Sequence, residues 1–139
     1  MVAAMVLFLG ACATRSETDE GTTSGSAPIE QRAAERWRLL AQKNWYAAYE
    51  YLSPGTRAAL SANAYAQNMS AATINWLRGD VEDTSGCENA DVCDVTVRVH
   101  YRVTGGVTGV RKPVELNRPI TESWIKVDDA WYFVPDSLR

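Results

Sequence analysis

The amino-acid sequence predicts an α+β domain with N-terminal helices packed in a curved antiparallel sheet of about four strands. Apolar residues recur at helical spacing, at Ala33, Trp37, Leu40 and Ala41. Later, residues 94–104 alternate between apolar and polar side chains, which is typical of an antiparallel strand with one buried and one solvated face. Because the helical period comes first and the alternation follows, the order favours an α+β fold over βαβ repeats.

The composition is that of one folded globular domain. Of the 139 residues, 46% are hydrophobic and 22% are charged, which excludes collagen, coiled coil and bulk disorder. The formal net charge of −3 argues against a nucleic-acid partner, since nucleic-acid binders usually carry a basic surplus. One histidine and three cysteines are too few for most metal sites, and we predict no metal and no cofactor.

The N-terminal segment predicts export. Residues 2–11 form an apolar run that is shorter than the roughly 20 residues needed to span a bilayer and has the length of a signal-peptide apolar region. The run ends in Leu-Gly-Ala-Cys at residues 9–12, which resembles the bacterial lipoprotein box. The resemblance implies that residues 1–11 are a signal peptide and that Cys12 carries diacylglyceryl and acyl (palmitate) chains. Since Ala13 rather than an aspartate follows, it implies the outer membrane rather than the inner one.

A polar segment separates this motif from the folded domain. Residues 14–27 contain no large apolar side chain, so they cannot bury enough surface to offset the entropy lost on ordering. We therefore expect a lipidated cysteine and flexible tether over residues 12–27 and a single α+β domain over residues 28–139.

The other two cysteines predict a disulfide. Cys87 and Cys93 flank a short polar connection between two strand-like runs. In an exported, oxidising compartment such a pair is expected to form a disulfide that clamps the loop. Free or metal-binding thiols are the alternative, although His100 is the one histidine available to complete a metal site.

Helical segments are expected to come first. One begins at Pro28, a residue suited to a first helical turn, and ends near Lys43. Its polar face is assigned Arg32, Glu35, Arg36 and Arg38. A second helix over residues 45–52 ends at the Ser-Pro pair of residues 53–54, because the residue before proline disfavours the helical conformation. That serine is expected to cap a third helix, and residues 61–68 form a further turn or short helix.

Strands are expected to follow. Residues 73–78 predict a first, less regular strand, and the alternating segment described above predicts the next. The glycine-rich residues 105–114 are expected to form a loose connection. A strand over residues 119–127 then leads through a tight turn at Asp128-Asp129 into a last strand over residues 131–134.

Two segments resemble the nuclear transport factor 2-like superfamily. They are residues 45–54 followed by Arg57, and the closing residues 124–133. In that superfamily the closing segment usually reads Trp-x-x-x-Asp-Gly-x-Trp, and Asp129 stands at the glycine position here. The resemblance implies a cone in which a curved antiparallel sheet wraps helices and often leaves a pocket. Members include isomerases, dehydratases and transport adaptors, so the fold alone does not assign an activity.

The resemblance also implies which groups would matter in such a pocket. Isomerases of the superfamily need a carboxylate base and an oxyanion donor inside the cone. The candidate pocket residues are Tyr49, Glu50, Tyr65, Tyr101 and Trp124, with Glu122 as a further carboxylate. The alternative is that both glutamates are solvated and the tyrosines pack the core, and no catalytic residue is assigned.

The polar face of the alternating strand is a candidate interface. Arg98, His100 and Arg102 share that face and form a local positive patch on a negatively charged chain. The patch is expected to meet an anionic partner or a second copy of the chain. The alternative is a solvated face, on which salt would screen the charges.

These observations lead to two functional hypotheses. The first is a lipid-anchored extracytoplasmic binding or protein-interaction module of the bacterial cell envelope, without catalysis. Its partners would be the membrane, a second copy or another envelope protein, and a small apolar ligand. The alternative is a small cone-pocket enzyme, isomerase- or dehydratase-like, that acts on an apolar small molecule.

Overall fold

Four helices precede four strands in the computed structural model, which describes residues 27–88, 91–103 and 112–136. The elements are α1 (Ile29–Ala41), α2 (Trp45–Tyr49), α3 (Pro54–Ala59), α4 (Ala62–Ala71), β1 (Ile74–Ser85), β2 (Val92–Val103), β3 (Val114–Val127) and β4 (Ala130–Val134). The strands form one antiparallel sheet in the order β1-β2-β3-β4. The predicted α+β class and four-stranded antiparallel sheet are confirmed.

Several sequence predictions lie outside the described residues. They concern the signal peptide, lipidation of Cys12, the tether up to residue 26, and most of the connection over residues 105–114. None of the helices in the described part of the chain combines the length and apolarity of a membrane-spanning helix.

The helix boundaries follow local capping chemistry. The Ser53 side chain accepts a hydrogen bond from the Thr56 amide at 3.2 Å, with Pro54 as the first helical residue, as predicted. Ser61 caps α4 in the same way through the Ala64 amide. With that cap, the segment expected to be a turn or short helix becomes a ten-residue helix.

Two strands are longer than predicted, for different reasons. In β1 the pairing register shifts twice, next to Trp76 and next to Val81, and these irregularities break the alternation that reveals a strand in sequence. In β3 the strand begins at Val114, before Pro119. Since β4 pairs only with Ser123–Val127, the chain around Pro119 is a sheet edge, where proline is tolerated.

The turn between β3 and β4 uses two aspartates in the left-handed region. Asp128 and Asp129 have φ of 49° and 62° and connect the paired residues Val127 and Ala130. A two-residue hairpin turn of type I′ needs positive φ at both positions, and aspartate tolerates this conformation at modest cost. The tight turn predicted at this place is confirmed.

The outer edge of β4 is covered by the chain itself. The Ser53 amide donates to the Phe133 carbonyl at 2.9 Å, and the Phe133 amide donates to the Tyr51 carbonyl at 2.8 Å. Leu52 therefore forms a parallel bridge with Phe133. The connection between α2 and α3 extends the sheet at this edge, while β1 forms the other edge.

Helix α1 buries two arginines that the sequence analysis placed on a polar face. Arg32 and Arg36 are each about 5% exposed, so that assignment is wrong for them. They lie four residues apart beside the apolar stripe and therefore share the buried side of the helix. Arg32 Nε donates to the Trp131 carbonyl at 2.6 Å, and its guanidinium lies 4.5 Å from the centre of the Tyr51 ring.

The contact between α1 and β1 depends on a glycine. Trp37 is buried against Gly79, and a Cβ atom at Gly79 would lie 2.5 Å from Trp37 Cγ. On its other side Trp37 meets Trp76 edge-on, with ring centres 5.5 Å apart. The missing side chain at position 79 thus lets the helix approach the sheet closely.

The predicted disulfide is present. Cys87 and Cys93 are joined, with Cα atoms 4.5 Å apart, and connect the chain just after β1 to the start of β2. Cys93 lies in the core and pairs across the sheet with the fully buried Trp124.

We expect Gly79→Ala to lower the free energy of unfolding by roughly 1–3 kcal/mol, because the added methyl group overpacks against Trp37. Gly55→Ala is the matched control. It adds the same methyl group where no atom lies within 4 Å, and it should leave stability unchanged or slightly higher. Urea unfolding of both variants measures the difference, and equal stabilities would contradict the proposed packing.

We expect the double variant Cys87→Ser, Cys93→Ser to fold and to unfold at a lower temperature. A loop this short contributes about 2 kcal/mol through the unfolded state, and the sheet does not need it to form. Circular dichroism and a thermal melt test this. Loss of the folded spectrum would show that the clamp determines the fold.

Candidate functional site

An open groove of about 410 Å³ lies between α2, the end of α4 and the start of β1. Its apolar lining consists of Trp45, Met69, Ala72, Ile74 and Trp76. Its polar lining consists of Lys43, Ser70, Thr73 and Asn75. The volume falls within the usual range for small-ligand pockets, about 300–1,000 Å³.

The turn between α1 and α2 places the first residues of this groove. Lys43 adopts a left-handed conformation, with φ of 59°, and so ends α1. The Asn44 amide then donates to the Leu39 carbonyl at 2.9 Å, and its side chain accepts from the Ala47 amide at 3.3 Å. This double role of Asn44 starts α2 at Trp45.

Trp76 forms the sheet side of the groove. Its ring meets Trp37 of α1 and, at 6.1 Å between ring centres, Tyr101 of β2. Tyr101 pairs in turn with Leu116 of β3, which is 45% exposed. Residues in register share one face of a sheet, so an apolar strip leads from the groove across three strands.

The electrostatics of the groove depend on one residue. Lys43 is the single charged residue among the nine that line it. Across the described part of the chain, no salt bridge or hydrogen bond engages its ammonium group. The groove therefore offers a mixed apolar and polar surface, with one positive charge that no described residue neutralises.

A second groove, of about 350 Å³, lies between α1 and β1. Its two cations are already engaged: Arg38 by Glu35 and Gln42, and Arg78 by Asp80. It is therefore a weaker candidate for ligand binding.

A buried charge pair lies in the interior, away from both grooves. Arg36 Nη1 is 2.7 Å from Glu122 Oε1, and both side chains are almost fully buried. Trp124 Nε1 donates to the other carboxylate oxygen at 3.3 Å, and the Phe133 ring centre lies 3.8 Å from the guanidinium carbon. The carboxylate is thus held by a cation and an indole donor.

Tyr65 lies next to this pair. Its hydroxyl is buried, burial raises its pKa, and the nearby Arg36 charge opposes that rise. A hydroxyl with a raised pKa stays protonated at neutral pH and is a donor rather than a base. The two oxygens of the Glu122 carboxylate are bonded to Arg36 and to Trp124.

The predicted pocket residues do not form one site. Tyr65 and Trp124 are brought together beside the buried pair, and the Tyr49 ring lies 5.8 Å from that of Tyr65. The Tyr49 hydroxyl donates to the Leu60 carbonyl at 2.8 Å, so it fixes the end of α3.

The other predicted pocket residues lie elsewhere. Glu50 is solvated and paired with Arg57, while Tyr101 belongs to the strip beside the groove. The expectation of a solvated glutamate holds for Glu50 and is wrong for Glu122.

The predicted basic face also carries carboxylates. Each of its three residues faces a carboxylate on a neighbouring strand: Arg98–Glu82 at 2.6 Å, His100–Asp80 at 3.1 Å and Arg102–Glu115 at 3.5 Å. A hydrogen bond from Arg78 lowers the pKa of the Asp80 carboxyl below its ordinary value. The face is the solvated side of the sheet, and each of the three predicted basic residues is paired there with a carboxylate.

Sequence reasoning missed the groove residues and the buried arginine. The sequence analysis places Lys43 at a helix end and Trp45 in the next helix, and it does not bring them together with Trp76 because that residue lies some 30 positions away. For Arg36 a signal was available. It lies four residues after Arg32 and directly beside Trp37, at the border of the apolar stripe.

Comparisons with known proteins define the fold and no more. No family model matches the chain, and the search of curated proteins gives no significant match. Two solved structures are similar to it, each with a TM-score of 0.60. One is the solution structure of a SEC-C motif-containing protein from Rhodopseudomonas palustris, at 20% identity over 80% of this chain and 78% of that protein. The other is the crystal structure of a SEC-C motif-containing protein from Psychrobacter arcticus, at 11% identity over 81% of this chain.

These neighbours overturn the resemblance drawn from the sequence. They are SEC-C motif-containing proteins, and neither is described as a nuclear transport factor 2-like protein or as a lipoprotein. The assignment of the domain to that superfamily is therefore wrong and its cone is not confirmed, while the fold is similar to that of these two SEC-C motif-containing proteins. The chain spans 62% of the length of the Psychrobacter protein.

We expect Glu122→Gln to lower the free energy of unfolding by roughly 3–5 kcal/mol, because it leaves the Arg36 charge buried without a counter-charge. Glu115→Gln removes an equivalent carboxylate from an exposed pair and should cost at most about 1 kcal/mol. Urea unfolding measures both.

The double variant Arg36→Met, Glu122→Leu distinguishes the stability lost through a lone buried charge from the stability lost through altered packing. If the lone buried charge is the cause, the double variant loses less stability than Glu122→Gln alone. A double variant less stable than the single one would contradict this explanation.

Proposed function

We propose that this protein is a lipid-anchored, non-catalytic binding module of the bacterial cell envelope. The motif at residues 9–12 and the polar residues 14–27 after it support the anchor and the tether. The Cys87–Cys93 disulfide is consistent with an oxidising, exported location. The groove between α2, α4 and β1 is the proposed binding surface.

The observation that carries this proposal is that the carboxylates of the described residues do not line the two open grooves. The grooves around Lys43 and around Arg38 contain no aspartate or glutamate. The carboxylate of Glu122 is buried and paired with Arg36. Acid–base catalysis needs a titratable group within hydrogen-bond reach of the substrate, so binding is supported better than the enzymatic alternative.

Cys12→Ala should release the protein from membranes into the soluble fraction. The thiol is the acceptor of the diacylglyceryl group, and two or more acyl chains are needed for stable membrane binding. Globomycin, which inhibits the lipoprotein signal peptidase, should accumulate an unprocessed form of the native chain. An intact Met1–Ala11 segment in the mass spectrum of mature protein would contradict the proposal.

Ala13→Asp is the control for the proposed sorting of the protein to the outer rather than the inner membrane. It keeps the lipidated cysteine and introduces the residue that usually retains lipoproteins in the inner membrane. Density-gradient fractionation should find the native chain with the outer membrane and this variant with the inner one. If both fractionate together, the outer-membrane part of the proposal is wrong.

A further inference from the structure

We propose that the groove between α2, α4 and β1 binds a small amphipathic anion, namely an aliphatic chain that ends in a carboxylate. This inference rests on the proposed binding function and names the ligand class of that groove. The apolar walls hold the chain, and the ammonium group of Lys43 holds the carboxylate.

The apolar part of the lining matches an aliphatic chain. Trp45 and Trp76 supply broad apolar surfaces, and Met69 and Ile74 add to them. Methionine adapts to irregular shapes because its side chain is unbranched. Beyond Trp76, the strip through Tyr101 to Leu116 offers further apolar surface to a longer chain.

The charge at the border selects the sign of the ligand. Lys43 has no acidic partner in the described part of the chain. The carboxyl end of α4 also reaches the groove at Ser70 and Ala72, but a helix end carries only about half a negative charge. The full positive charge of the ammonium group therefore outweighs it.

The position of Lys43 makes this charge part of the groove. Its left-handed backbone conformation is fixed between the end of α1 and the cap of α2, with its amide bonded to the Leu40 carbonyl at 3.1 Å. The backbone of the residue is thus held in place, and only the side chain needs to be ordered when the ligand binds.

The experiment compares three probes with the same ten-carbon chain: decanoate, decanol and decyltrimethylammonium. Each is titrated, below the concentration at which it forms micelles, into the full-length Cys12→Ala chain purified without detergent. Isothermal calorimetry and tryptophan fluorescence measure binding. Decanoate should bind about tenfold more tightly than the cation. This ratio corresponds to an attraction between that of a charge pair in bulk water and that of a charge pair near a protein surface.

Variants assign the preference to the groove. Lys43→Gln should weaken decanoate about tenfold and leave decanol unchanged, and Lys43→Glu should reverse the preference toward the cation. Lys112→Gln removes the same charge from an exposed residue outside the groove and should change nothing. Trp45→Ala should weaken all three probes. Circular dichroism confirms that each variant is folded, and the apolar residues 2–11 are the same in all of them.

Three results would overturn the inference: no binding of decanoate, equal binding of decanoate and the cation, or an equal effect of Lys43→Gln and Lys112→Gln. None of them bears on the membrane anchor, which the Cys12→Ala fractionation tests separately. Equal binding of all three probes would leave an apolar groove in a binding module, and only the ligand class would be wrong.

Discussion

The buried pair between Arg36 and Glu122 constrains how the helices can lie on the sheet. Removing both charges from water costs several kcal/mol per ion, so the pair is tolerated only where the two groups meet and further donors complete their bonding. Arg32 near one end of α1 bonds to the Trp131 carbonyl of β4, and Trp37 packs on Gly79 of β1. The pair lies between these contacts, so α1 crosses the sheet in a single arrangement.

That arrangement also decides what remains at the surface. In the interior the Glu122 carboxylate balances the charge of Arg36. Because α1 is fixed, its end at Lys43 lies against the start of β1, with Trp45 following directly. The same placement of one helix pairs the buried charges and leaves Lys43, which has no acidic partner among the described residues, beside Trp45 and Trp76.

Local chemistry could be predicted from the sequence, whereas features that join distant segments could not. The Ser53 cap and the aspartate turn at residues 128–129 depend on adjacent residues and were predicted correctly. The charge pair links residues that are 86 positions apart. The full length of β1 could not be predicted because two register shifts interrupt its alternation of apolar and polar residues. The groove was missed because its walls come from separate segments. The superfamily resemblance failed because it rested on two short aromatic segments, and aromatic residues pack many kinds of core.

The two edges of the sheet differ in what protects each of them from pairing with a strand of another copy of the chain. One is sealed by the chain's own hydrogen bonds to Phe133. The other, β1, is bent by its register shifts and carries the charged residues Arg78, Asp80 and Glu82, features that oppose strand-to-strand adhesion. A sheet built in this way resists fibre growth where many copies of the chain lie close together.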